Sequence, residues 1–196
     1  MIKVENDELI QFRSSSLGKL IRIVGYQFKH YCSEMKLIYS TFGREPTADQ
    51  INELCPEYFD RTITATVFTG MVIEALLYDY AVVKCSKTYA EKVSGKPIDI
   101  EFIQIAKDIF SNEGRKESEM SARLDNFKKV RVHFVHNKST ALGKYNKKEL
   151  EYLSPDGCLQ LLIDFFAYFS SNDPEYVLAQ LTLDQLSELQ ITERGF

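Results

Sequence analysis

The sequence predicts an all-α fold, and three observations support this prediction. The chain of 196 residues is 44% hydrophobic and 27% charged, with only 9 glycines and 5 prolines. Apolar residues recur at helical spacing through most of it, and no segment alternates strongly enough to predict a sheet. We expect an antiparallel helical bundle of about five to seven helices. It forms a single domain over 1–196, with a core over about 7–171 and an acidic amphipathic helical extension over 173–196.

The first half of the chain contains three predicted helices. The first spans about Asp7 to Thr41 and ends at Phe42-Gly43, because glycine favours the conformation that closes a helix. A short helix from Thr47 to Leu54 begins with a threonine cap. A second long helix runs from about Phe59 to Lys92. The core-facing positions of the first helix follow the i, i+3, i+4, i+7 pattern: Leu17, Leu20, Ile21, Val24, Phe28 and Tyr31.

The second half contains four more predicted helices. They cover Ile98 to Phe110, Ser118 to about Thr140, a segment that begins at Ser154-Pro155, and Glu175 to Leu189. Serine as cap with proline at the first helical position is a strong helix start. Leu159–Phe169 leaves little polar surface, so this helix lies either at the centre of the bundle or in an oligomer interface.

Several classes of protein are excluded by what the sequence lacks. No stretch approaches the roughly 20 apolar residues of a membrane span, so we expect no membrane partner. The acidic N-terminus has no apolar signal core, which predicts a cytoplasmic protein. The four cysteines, Cys32, Cys55, Cys85 and Cys158, are scattered singly without histidines at ligand spacing. We therefore expect reduced thiols, no metal and no cofactor.

The charge is distributed unevenly, and this points to one segment. The formal net charge of −4 separates into +7 over Arg123–Lys148 and −11 over the remainder. Two of the three histidines, His133 and His136, fall within this basic segment. A local basic patch suits a phosphate-bearing ligand, although a solvated helix face followed by a lysine-rich loop gives the same pattern.

Within this segment, Arg131 and His136 enclose four residues, and the pattern resembles the Arg-x(4–6)-His signature of HEPN-domain proteins. The run Val135-His136-Asn137-Lys138-Ser139 fits the form of that motif. The upstream run Ile73–Ala81, which carries Glu74, is similar to the helix that precedes the motif in bacterial members. The resemblance covers about Arg61 to Phe169.

The resemblance implies an all-α protein that cleaves RNA without a metal ion at a dimer cleft, as in bacterial toxin or phage-defence systems. The implied partners are RNA, a second copy of the chain and a neutralising protein. His136 would accept the proton of a ribose 2′-OH near neutral pH. Arg131 would hold phosphoryl oxygens through bidentate hydrogen bonds. Lys128, Lys129, Asn137 and Lys138 would contact the RNA backbone.

Helical geometry adds two candidates and one departure. Arg131 and His136 lie about 140° apart on a regular helix, so they do not share a face. His133 does share a face with His136 and is a candidate supporting residue. Val132 stands where the family often has a polar residue. Glu74 interrupts an apolar run; it either pairs with Arg131 or a histidine across the bundle, or lies at a helix edge in water.

Two alternative hypotheses stay open beside the ribonuclease. One is a non-catalytic helical module that binds RNA or an acidic protein. The other is a helical scaffold that dimerises through Leu159–Phe169.

Overall fold

The computed structural model describes residues 2–5, 8–12, 16–43, 46–110, 115–135, 149 and 151–194. Helices dominate these ranges, so the all-α prediction is confirmed. One hairpin and eight helices lie in the described residues: β1 (Ile2–Glu5), β2 (Glu8–Phe12), α1 (Leu17–Phe42), α2 (Ala48–Leu54), α3 (Tyr58–Lys84), α4 (Lys87–Val93), α5 (Ile98–Phe110), α6 (Arg115–Val135), α7 (Pro155–Asn172) and α8 (Val177–Arg194).

The N-terminal segment corrects the prediction that no part of the chain forms a sheet. β1 and β2 pair antiparallel, with Ile2 opposite Phe12 and Val4 opposite Leu9. Helix α1 therefore begins at Leu17 and not at Asp7. Ile2 and Val4 alternate with polar residues at the strand period, but the alternation is too short to stand out in the sequence.

Several predicted helix ends are confirmed because capping residues determine them locally. Gly43 closes α1 at a φ of +78°, a conformation that favours glycine. Thr47 and Gln50 form a reciprocal capping box before α2. Ser154 Oγ accepts a hydrogen bond from the backbone N–H of Gly157 at 3.1 Å and caps α7.

The predicted helix from Phe59 to Lys92 is wrong in one respect, since the helix is interrupted at Cys85-Ser86. Helix α3 ends at Lys84 and α4 begins at Lys87. Ser86 Oγ accepts a hydrogen bond from Tyr89 N at 3.1 Å. This cap satisfies one backbone donor of the new helix, and the chain turns where helical periodicity alone predicted continuity.

Helix α7 lies at the centre of the protein, which decides between the two interpretations of its apolar surface. Leu159, Leu161 and Leu162 are fully buried within the single chain. So are Phe165 and Phe169, whose ring centroids lie 5.1 Å apart. The hypothesis that Leu159–Phe169 forms a dimer interface is therefore wrong, because its apolar side chains are already covered by the chain itself.

Helix α3 crosses the same core and positions the candidate site. It packs on α1, α5, α6 and α7. By length and composition it is also long and apolar enough to cross a membrane, with a mean hydropathy of 1.4 over its most apolar window. Half of that window is buried inside the protein. The expectation that no segment reaches this threshold is therefore corrected.

Candidate functional site

The predicted motif is described up to Val135, the last residue of α6. Arg131 and His133 lie on this helix. His136, Asn137 and Lys138 lie outside the described residues. That Arg131 and His136 act together in one site therefore stays a prediction.

Arg131 forms an ion pair with Glu74 across helices α6 and α3. Arg131 Nη2 donates to Glu74 Oε2 at 3.1 Å, and Nη1 donates to Oε1 of the same carboxylate. The arginine side chain is 19% exposed and the glutamate side chain 45%. The contact between them was one of the predicted alternatives, and it is confirmed. Such a two-point contact fixes the plane of the guanidinium as well as its position.

Gly70, which the sequence analysis missed, gives the Arg131 side chain its space. Gly70 lies one helical turn before Glu74 on α3 and is buried. A Cβ at this position would overlap Cδ and Nε of Arg131. The arginine thus lies against the backbone of α3, and its Nε is buried with no acceptor among the described residues. A glycine in the interior of a long helix, four residues before the polar Glu74, was the signal available in the sequence.

The guanidinium borders a groove of about 370 Å³ between α6 and the turn that precedes α5. We call it the Arg131 groove. Its lining includes Glu74, Lys96, Arg131, Val132 and Val135. Val132 is 40% exposed and Val135 54% exposed. The position where the resemblance predicts a polar residue therefore presents an apolar side chain to this groove.

Lys128 and Lys129, two further bases on α6, form ion pairs with carboxylates. Lys128 pairs with Asp99 at 2.8 Å and with Asp125 at 2.9 Å. Lys129 pairs with Asp125 at 3.0 Å and lies 3.7 Å from Glu149. Burial would lower the pKa of Lys128, but its hydrogen bonds to Asp125 and Asp99 outweigh that effect and raise it.

Arg123 follows the same pattern, with Asp164 2.5 Å away. All four bases of the basic segment that the structure describes are thus ion-paired. Acids from elsewhere in the chain fold onto α6. The separation into a basic segment and an acidic remainder, which is clear in the sequence, is therefore largely cancelled in space along this helix. The other four bases of the segment, Lys138, Lys144, Lys147 and Lys148, lie outside the described residues.

His133 is partly buried on α6, and its ring centroid lies 6.1 Å from that of Phe134. Its supporting role stays a prediction, because the partner it was predicted to support, His136, is not described.

A second groove, of about 620 Å³, lies on the other side of Glu74. We call it the acidic groove. Glu101, which the sequence analysis also missed, lines it together with Glu74 and Asp79, and Lys96 contributes one base. Burial and then the nearby charge of Glu74 raise the pKa of Glu101 to about 7. Its surroundings in the sequence, Asp99 to Gln104 of an amphipathic helix, gave no signal of burial.

Metal binding finds no support in the geometry of the described residues. Nowhere in these ranges do three His, Cys, Asp or Glu side chains come close enough to hold one metal ion.

No family model matches the chain, and no curated protein or solved structure matches it either. The resemblance to HEPN domains therefore rests on the residues of this chain alone.

Proposed function

We propose that this chain is a HEPN-like, RNA-directed protein that cleaves RNA without a metal ion, as a homodimer in the cytoplasm. It belongs in this proposal to a toxin or phage-defence type system with a neutralising protein partner. One observation carries the proposal: Glu74 orients the guanidinium of Arg131 at the edge of a groove, five residues before His136.

The pairing with Glu74 leaves Arg131 able to bind a phosphate. A guanidinium has five N–H donors, and the carboxylate engages only Nη1 and Nη2, one N–H from each. The second N–H of each nitrogen can donate to phosphoryl oxygens. A donor that is already oriented needs little reorganisation when negative charge develops in the transition state, which is how such groups accelerate phosphoryl chemistry.

The reaction needs only the residues of the motif. His136 accepts the proton as the ribose 2′-OH attacks the adjacent phosphorus. The bond to the 5′-oxygen breaks, a 2′,3′-cyclic phosphate forms, and the imidazolium returns a proton to the leaving oxygen. Arg131 holds the charge on the two non-bridging oxygens.

The ion pairs of Lys128 and Lys129 change which residues we assign to RNA binding. Lys128 and Lys129 are held by Asp99, Asp125 and Glu149. We therefore assign the main phosphate contacts to the bases that follow α6 in the sequence, Lys138, Lys144, Lys147 and Lys148. The exposed Val132 and Val135 support the homodimer, because a second copy at the Arg131 groove would cover them. We propose that the helices form one antiparallel bundle domain, with α8 as its acidic extension.

The second candidate function is RNA binding without cleavage. Its specific observation is Val132, an apolar residue beside Arg131 where the family often has a polar one that supports the histidine. A site with the arginine but no support for the base would still bind phosphate.

Cleavage of a labelled RNA in EDTA separates the two functions. We expect cleavage by the wild-type chain and none by Arg131→Ala or His136→Ala. Arg22→Ala and His30→Ala, two residues of the same types on α1, are the matched controls and should cleave as the wild type does. Binding that weakens between about 50 and 200 mM salt, without cleavage, would favour the second function. Neither binding nor cleavage would exclude both.

A further inference from the structure

The acidic groove shares Glu74 with the proposed RNA-cleaving site but lies on the other side of this residue from Arg131, and it has a charge of its own. It is lined by Ser16, Tyr78, Asp79, Ser94 and Glu101, besides Glu74, Gly95 and Lys96. The charge of Glu74 is balanced by Arg131, and Lys96 is the one base that lines the groove beside the carboxylates of Asp79 and Glu101. One negative charge of the groove is therefore left without a counter-charge.

The environment of Glu101 is the feature that marks this groove as a binding site. Glu101 is only 2% exposed, and its Oε1 has no hydrogen-bond partner among the described residues. A carboxylate oxygen buried without a donor is costly, and such groups in folded proteins usually meet a ligand, an ion or an ordered water. Glu101 lies in the wall of a groove that is large enough for a small molecule.

The lining determines the class of ligand. The carboxylates do not converge on one point, since no three acidic, cysteine or histidine side chains of the described ranges could hold a metal ion. The ligand must therefore be larger than an ion and must carry several donors. Tyr78 adds an aromatic ring to the same wall, and rings attract organic cations as well as packing against them.

We propose that the acidic groove binds an organic cation, a guanidinium or a primary ammonium group, whose N–H groups donate to Glu101 and whose charge is attracted by Glu101 and Asp79. This site does not depend on the proposed RNA cleavage. It can accept either a free small cation or an arginine or lysine side chain of a protein, because the two present the same group.

Binding should depend on pH with a defined sign. Burial and Glu74 raise the pKa of Glu101 to about 7, while Lys96 opposes this. The cation prefers the charged carboxylate, so its affinity is highest above pH 7 and falls as Glu101 takes up a proton below pH 7. Binding at pH 7 itself should release part of a proton.

Calorimetric titration of the full chain with agmatine tests the proposal. We expect binding at pH 8, weaker binding at pH 6, and a loss of about tenfold or more in Glu101→Gln. Tyr78→Leu should weaken binding without altering Glu101. Glu91→Gln, an exposed acid of α4 that does not line the groove, is the matched control and should bind as the wild type does.

Two further measurements complete the test. Titration in buffers of different ionisation enthalpy detects the released proton in the wild-type chain, so the result does not depend on whether Glu101→Gln folds. A short peptide with one central arginine distinguishes the sources: tighter binding than agmatine assigns the site to a protein side chain, and weaker binding assigns it to a free cation. Absence of binding by both ligands, unchanged affinity in Glu101→Gln, or stronger binding at pH 6 would overturn the proposal.

Discussion

Glu74 and Glu101 line the same groove, but their carboxylates are in opposite situations. Glu74 is nearly half exposed and is held by the guanidinium of Arg131. Glu101 is buried, one of its oxygens has no donor in the part of the chain that the structure describes, and its pKa is raised to about 7. The comparison shows that α6 supplies Glu74 with a partner, which Glu74 orients, whereas Glu101 has no partner for Oε1 among the described residues, and this is the place that the proposed cationic ligand would take.

The largest expected effect comes from changing the partner of Glu74. Arg131→Lys keeps the positive charge but loses the planar, two-point contact, so we expect RNA cleavage to fall by about 100-fold. The measurement is the single-turnover cleavage rate in EDTA. Arg22→Lys on α1 is the control and should leave the rate unchanged. Full activity in Arg131→Lys would show that a point charge suffices and that Glu74 does not orient the site.

The next effect concerns Glu101 and the stability of the fold. Its folded-state pKa of about 7 lies above the ordinary value of 4.5, so the folded chain binds the additional proton. The contribution of Glu101 to the free energy of unfolding therefore falls as the pH rises from 4.5 to 7 and stays lower above that range.

Glu101→Gln should remove this dependence and raise the free energy of unfolding at pH 8 by on the order of 2 kcal/mol. Urea unfolding across the pH range measures it. Glu91→Gln, an exposed acid, should change stability by less than about 0.5 kcal/mol. A stability profile of Glu101→Gln that falls with pH as steeply as that of the wild type would contradict the burial of a charged carboxylate.

A smaller effect is expected at Gly70. Gly70→Ala places a Cβ where the Arg131 side chain lies, so the guanidinium must move away from Glu74. We expect cleavage to fall by about tenfold. The better helix propensity of alanine, up to about 1 kcal/mol, offsets part of the lost ion pair, so stability changes little. Gly18→Ala, where a Cβ meets nothing within 4 Å, is the matched control and should keep full activity.

The smallest effect is expected at Lys129, which is half exposed and paired with Asp125. Lys129→Ala should change RNA affinity by less than about twofold, because its charge is already balanced. Lys147→Ala and Lys148→Ala should each weaken binding. Each should also reduce the slope of the logarithm of the binding constant against the logarithm of the salt concentration by about one. Filter binding at several salt concentrations makes the comparison. A large loss of RNA affinity in Lys129→Ala would show that α6 makes the main phosphate contacts.

How much of this structure could be predicted depends on how local its causes are. Helix ends followed from single residues, such as Gly43, Thr47 and Ser154, whose caps act on their own neighbours. The break after Lys84 was missed because Ser86 as a cap competes with apolar periodicity that continues on both sides. The hairpin was missed because its strands are too short to show a period.

The candidate site was predictable only in part, for a related reason. Arg131 was found through its spacing to His136, which resembles a family motif, and Glu74 was found because it interrupts an apolar run. The burial of Glu101 and the space left by Gly70 depend on packing between helices that are distant in sequence. The cancellation of charge on α6 likewise required Asp99 and Asp164 to fold onto it. Charge summed along a sequence does not describe charge in space.

The C-terminal helix has a practical consequence for anyone who shortens the chain. Tyr176 stacks edge-on against Tyr80 at 4.8 Å, and Ala179 and Leu186 are buried behind it. Asp173 accepts a hydrogen bond from Tyr80 Oη at 2.8 Å. The acidic composition of the segment suggests a shortened chain that ends at Asn172. In such a chain the ring of Tyr80 and the apolar faces of α1 and α7 would be exposed to solvent. Such a truncated chain should precipitate more readily during purification than the full chain does.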